Sequence, residues 1–171
     1  MFREEIFSEE IQTLEQEDYT TERNKPMPNR IHGTLQSAAS RLLYNRYCDR
    51  YSFPSEVTLD TQPRSSAPDI LVYPKKRLSL SDAEAKEKEM PLTTIEIQSP
   101  SQSPEELIEK ARELYFPAGV KSAWVVIPAA MSIRVILPDN RSFLFTLSDE
   151  LHDPVTDIRL PVEKVFEDID W

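Results

Sequence analysis

The chain has 171 residues, 30 acidic against 20 basic, for a net charge of −10, with 2 Gly, 14 Pro, 1 Cys and 2 His. This length suits one domain with a buried core. Two glycines are too few for a P-loop or dinucleotide fingerprint, one cysteine excludes a disulfide framework or cysteine-based zinc finger, and the acidity argues against coating nucleic acid by bulk electrostatics.

The acidity is concentrated at the two ends. Residues 1–25 carry 8 acids and 3 bases, and residues 149–171 carry 8 acids and 2 bases, whereas 26–148 hold 14 acids and 15 bases. The expectation is a single domain over 1–171 with an acidic N-terminal extension at 1–25 and an acidic C-terminal segment at 149–171. Met1-Phe2-Arg3-Glu4-Glu5 lacks the apolar region of a signal peptide. The longest apolar run, at 123–131, is too short to span a bilayer. A soluble cytoplasmic protein with no membrane partner is expected.

Prolines punctuate the chain, since each fixes φ and lacks an amide donor. A short helix is expected at 9–17, then an extended loop at 20–28. Asn29 offers an N-cap for a helix over Arg30–Tyr47, where Ile31, Leu35, Ala38 and Leu42 recur on one face. Strands are expected at 56–60 and 69–73, then a charged surface loop over 75–90 with room for one helical turn. A third strand follows at 93–98, between Pro91 and Pro100.

The next helix has an unusually full start signal. Ser103 is the N-cap, Pro104 sits at the first helical position, and Ser103 and Glu106 have capping-box spacing. Pro117 and Gly119 end it. Strands are then expected at 122–127, 132–137 and 142–147, the last two joined through Pro138-Asp139-Asn140. The order is α-β-β-β-α-β with additional C-terminal strands, an α/β (α+β) pattern.

The third strand, Thr93-Thr94-Ile95-Glu96-Ile97-Gln98, puts Ile95 and Ile97 on one face and Thr94, Glu96 and Gln98 on the other. A carboxylate in such a strand is costly unless solvated, paired or bound to a cation. Glu96 therefore lies on a solvated edge, pairs with an Arg, or binds a cation. Asp69 after Pro68 is either a turn residue or a second carboxylate at a strand mouth, where an oxygen-rich site suits magnesium. Lys110 flanks the apolar arc of Leu107, Ile108, Ala111, Leu114 and Tyr115. It either reaches toward a strand end or pairs on the surface with Glu106, four residues before it. His32 and Gln36 share a side of the first helix and either look into a cleft or are structural. Arg30, Arg41, Arg46, Arg50 and Arg64 make the most arginine-rich stretch, read as solvated surface or as a phosphate contact. His152, beside Asp153 and Pro154, suggests no chemistry.

Taken together, Pro68-Asp69, Glu96-Ile97-Gln98-Ser99-Pro100, Lys110 and Tyr115…Gly119-Val120…Trp124-Val125-Val126 resemble the Uma-two family of putative bacterial restriction endonucleases, within the PD-(D/E)XK nuclease superfamily. Lys25-Pro26-Met27-Pro28…His32 and Leu160-Pro161…Val165-Phe166 extend the resemblance over roughly 25–167. It implies a restriction-endonuclease-like core, a mixed β-sheet flanked by helices, and a Mg²⁺-dependent endonuclease (Mn²⁺ as substitute) acting on nucleic acid, DNA foremost. Asp69, Glu96 and the Ile97 backbone carbonyl would hold the metal. Where the superfamily motif usually has lysine this chain has Gln98, and Lys110 is the natural substitute. His32 and Gln36 would be accessory, and a homodimer would supply two sites for two strands. The alternative is a nuclease-like module that binds nucleic acid or a protein partner without cutting. Convergence of Asp69, Glu96, Gln98 and Lys110 in one cleft distinguishes the two.

Overall fold

The computed structural model describes residues 26–170. The segment 1–25, with its expected helix at 9–17, lies outside the described residues. Helix α1 spans Arg30–Tyr47, and the Asn29 side chain accepts the His32 amide at 2.9 Å as its N-cap. Its buried face keeps Leu35 and Ala38 of the expected stripe and is extended to the side of His32, Ala39 and Leu43, whereas Ile31 is 47% exposed. That extension aims His32 and Gln36 at the sheet.

The central sheet has six strands in sequential order: β1 (Tyr51–Ser52), β2 (Ile70–Pro74), β3 (Thr93–Ile97), β4 (Ser122–Ile127), β5 (Ser132–Ile136) and β6 (Ser142–Phe145). Only β3 and β4 are parallel, and the chain between them carries the second helix, as a parallel pair requires. The remaining pairs are antiparallel.

The expected strand at 56–60 does not form. Glu56 has φ 60°, which breaks an extended run, and the segment makes only isolated bridges through Ser55 and Leu59. Its place in the order is taken by β1, which pairs with the end of β2. The strands expected at 132–137 and 142–147 each stop short, at Ile136 and Phe145. The charged loop contains one 3₁₀ turn, Leu80–Asp82, capped by Ser79.

Helix α2 spans Pro104–Lys110 with the expected capping box: Glu106 N–H donates to Ser103 Oγ at 3.2 Å, and Ser103 N–H donates to Glu106 Oε2 at 2.8 Å. It runs without a break into a π-helical turn, Ala111–Tyr115, and then α3, Phe116–Ala118. Gly119 terminates the run at φ 116°, a conformation that glycine adopts at little cost.

The two faces of the sheet are covered by different elements. Ile70, Val72, Ile95, Ile97, Trp124 and Val126 pack with Leu35, Ala39 and Leu43 of α1. On the other face Leu71 and Ala123 pack with Ala111, Leu114 and Tyr115 of the π-helical turn. Residues Glu150–His152 (β7), Arg159–Pro161 (β8) and Val162–Val165 (α4) form a C-terminal unit with its own two-stranded sheet.

That unit packs Leu151, Ile158, Leu160, Val162, Val165 and Phe166 into the same core cluster as α1 and the sheet, and polar contacts add to this. The fully buried Asp153 accepts at Oδ2 from Thr93 Oγ1 (3.2 Å), Ser122 Oγ (2.7 Å) and Trp124 Nε1 (2.8 Å), and at Oδ1 from Val155 N–H (2.8 Å). Arg41 pairs with Glu167 at 3.2 Å, while Arg46 and Arg50 donate to the carbonyls of Arg159 and Thr156. Arg41, Arg46 and Arg50 are exposed, as the solvated reading expects, and also contact the acidic C-terminal segment.

Candidate active site

Asp69 and Glu96 meet through strand pairing. The antiparallel register Ile70↔Ile95 places Asp69, one residue before β2, across from Glu96 on β3. Because β3 lies inside the sheet, Glu96 is not on a solvated edge, and both carboxylates are buried. Asp69 is fixed from two directions, with His32 Nε2 3.1 Å from Oδ2 and the Ile97 N–H donating to the same oxygen at 2.7 Å. Gln36 Nε2 donates to the Asp69 backbone carbonyl at 3.1 Å and to Glu56 Oε1 at 3.4 Å. His32 and Gln36 therefore sit on the candidate site itself.

Glu96 pairs with a lysine and not with an arginine. Lys110 Nζ lies 2.7 Å from Glu96 Oε1, with both side chains nearly buried. The surface pairing with Glu106 does not form, since that carboxylate is spent on the helix cap. A second donor to Oε1 is the Tyr115 hydroxyl, from a fully buried ring. Burial first, and then the adjacent Glu96 charge, push the Tyr115 phenol well above its ordinary range, whereas the Ser66 hydroxyl works the other way. Tyr115 therefore meets Glu96 as a protonated donor.

The π-helical turn makes this possible. Lys110 and Tyr115 are five residues apart, about 140° on an ideal α-helix. A π turn bonds residue i to i+5, as Phe116 N–H does to the Ala111 carbonyl. The wider turn narrows that angular offset, and the Lys110 ammonium comes 5.6 Å from the centre of the Tyr115 ring. In the sequence Tyr115 reads as a member of an apolar arc and of the motif that carries the family resemblance, with no role at the carboxylates, and no local signal marks the π turn.

Gln98 is directed elsewhere. Its Nε2 donates to the Gln102 carbonyl at 2.7 Å, and among the described residues it makes no hydrogen bond to Asp69, Glu96 or Lys110. The structure brings together Asp69, Glu96, Lys110, His32 and Gln36, and leaves the Gln98 amide beside the entry to α2.

The Uma-two family model, described as "Putative restriction endonuclease", matches residues 12–163. The chain belongs to this family. Among solved structures, a putative nuclease belonging to DUF820 from Anabaena variabilis ATCC 29413 is similar to this Uma-two chain, with a TM-score of 0.69 over 84% of each chain and 21% identity. At that identity the likeness shows a shared fold, a restriction-endonuclease-like mixed sheet flanked by helices. No curated protein matches the chain.

In this Uma-two protein no group of three or more His, Cys, Asp or Glu side chains is arranged to hold a metal among the described residues. Two facing carboxylates are nevertheless a donor set that suits magnesium, which is bound through one or two carboxylates and keeps several waters. Glu96 fits this, because both its donors meet Oε1 and Oε2 has no hydrogen bond among the described residues. No helix among the described residues is long and apolar enough to cross a membrane.

Proposed function

We propose that this chain is a divalent-metal-dependent endonuclease of the PD-(D/E)XK type that hydrolyses phosphodiester bonds in DNA. The observation that carries the reading is the Lys110 ammonium on Glu96 Oε1, at the point where β2–β3 pairing sets Asp69 across from Glu96. Asp69 and Glu96, with the Ile97 backbone carbonyl, would hold Mg²⁺ or, as a substitute, Mn²⁺. When bound, such an ion polarises a phosphoryl oxygen and lowers the pKa of a coordinated water.

The chain's own residues supply the remainder. His32 and the Ile97 amide fix the Asp69 carboxylate, and Gln36 anchors its backbone. Lys110 brings positive charge on a flexible stem to a buried site, where fixed charge acts most strongly on the developing phosphorane. Gln98 occupies the sequence position of the usual lysine, but a neutral amide cannot supply charge or act as a base. Cutting both strands of a duplex calls for two sites, so a homodimer belongs to this proposal.

The test is cleavage of single-stranded and duplex DNA with Mg²⁺ or Mn²⁺, comparing wild type with Asp69→Ala and Glu96→Ala. Activity should fall to background in both variants and in excess chelator. Equal nicking by all three proteins would identify a contaminant and end this reading. Gln98 gives weight to a second reading, a nuclease-like module that binds without cutting. Metal-dependent DNA retention by wild type with no turnover would favour it.

A further inference from the structure

Glu96 receives both of its donors on one oxygen, and the two differ in kind. Lys110 is a charge on an unbranched stem with freely rotating bonds. Tyr115 is a neutral donor on a rigid ring, buried among Leu59, Leu71, Leu114 and Val120. The ring is fully buried, whereas the Lys110 stem has several rotatable bonds and keeps 8% exposure.

The Lys110 ammonium has three N–H donors, one of them on Oε1 at 2.7 Å, so on meeting a phosphate oxygen it divides its charge between the two partners. If it were the sole donor, that division would loosen the hold on Glu96. We infer that Tyr115 is a positioning residue: its hydroxyl holds Glu96 Oε1 so that Oε2 is left for the cation while the Lys110 ammonium is shared with the scissile phosphate. The π-helical turn is the device that puts both donors on one carboxylate. This rests on the reading of Glu96 as a metal ligand.

The test is calorimetric titration of the full chain with Mn²⁺ alone, without substrate. Tyr115→Phe keeps the ring and removes only the hydroxyl, and should weaken Mn²⁺ binding by about 10–100-fold, as loss of a partner that orients a ligand typically does. Val120→Ala thins the same apolar cluster without touching Glu96 and should leave the affinity unchanged while lowering the thermal midpoint. On the wild type, a Mg²⁺ titration followed by NMR should retain the hydrogen-bonded Tyr115 hydroxyl proton and shift the Lys110 ammonium. That arm needs no variant to fold. Equal Mn²⁺ affinity in wild type and Tyr115→Phe, or loss of the hydroxyl signal on adding Mg²⁺, overturns the positioning role alone. A wild type that binds no Mn²⁺ overturns the metal reading itself.

Discussion

Replacing Lys110 by methionine removes the ammonium 2.7 Å from Glu96 Oε1 while keeping an unbranched stem of similar length. Glu96 then stays buried, at 4% exposure, with Tyr115 as its remaining donor. Breaking one side of a buried ion pair costs about 3–5 kcal/mol, and the surviving phenol bond argues for the lower end, about 3 kcal/mol. Glu96→Gln should cost a similar amount by stranding the ammonium. The double variant removes both charges and should cost less than the two singles together by about 2–3 kcal/mol, the upper range for residues in direct contact. Urea unfolding followed by circular dichroism measures all three. At one fixed Mg²⁺ concentration, a hundredfold above the wild-type dissociation constant, the wild type gains about 2.7 kcal/mol. This gain should be larger in Lys110→Met than in wild type, because the ammonium no longer competes for Glu96. A Lys110→Met protein within about 1 kcal/mol of wild type, or singles that simply add, would falsify this account of the pair.

Two further effects follow from buried groups. Asp153→Ala removes the acceptor of the buried Ser122 and Trp124 donors, while Thr93 and Ser122 keep the hydroxyl bond between them, and should destabilise by about 3 kcal/mol. Urea unfolding reads this directly, and a cost below about 1 kcal/mol would mean that the C-terminal unit is held by other contacts. The Tyr115 phenol is held above its ordinary 10.0 in the fold, so the folded state keeps a proton that the unfolded chain releases above that pH. Its contribution is complete below pH 10 and is lost as pH rises toward the folded value, at up to about 1.4 kcal/mol per pH unit. Unfolding curves collected from pH 9 to 11 should show a shallower decline for Tyr115→Phe than for wild type. Parallel declines would show that Tyr115 does not titrate as described.

Elements with strong local chemistry are legible in the sequence. The Asn29 cap, the Ser103–Glu106 capping box and the Gly119 stop all lie where local rules put them. The strand expected at 56–60 fails because an apolar–polar alternation carries no sign of a left-handed residue such as Glu56. The inward face of α1 takes in His32 and leaves out Ile31, the reverse of their rank in hydrophobicity. His32 is buried through its contact with Asp69, 37 residues away. Asp153 carries no local signal beside a histidine and a proline, since its four donors come mostly from strands far back in the chain.

Folding also changes what the charge count means. Of the five arginines in the Arg30–Arg64 stretch, three contact the acidic C-terminal segment. This leaves the candidate site with Lys110 as the cation at its carboxylates. By itself the sequence determined both helices, the strands around 70–74, 93–97 and 122–127, and the chemical types available, a carboxylate at the mouth of one strand, a second on the next and a lysine on the following helix, because caps, prolines and period-2 alternation act over a few residues. Only the tertiary structure decided which oxygen each group meets, that Gln98 turns to Gln102, and that Tyr115 joins Lys110 on Glu96. Those outcomes depend on strand register and on one π-helical turn. Both are set by packing across the sheet, which no window of neighbouring residues contains.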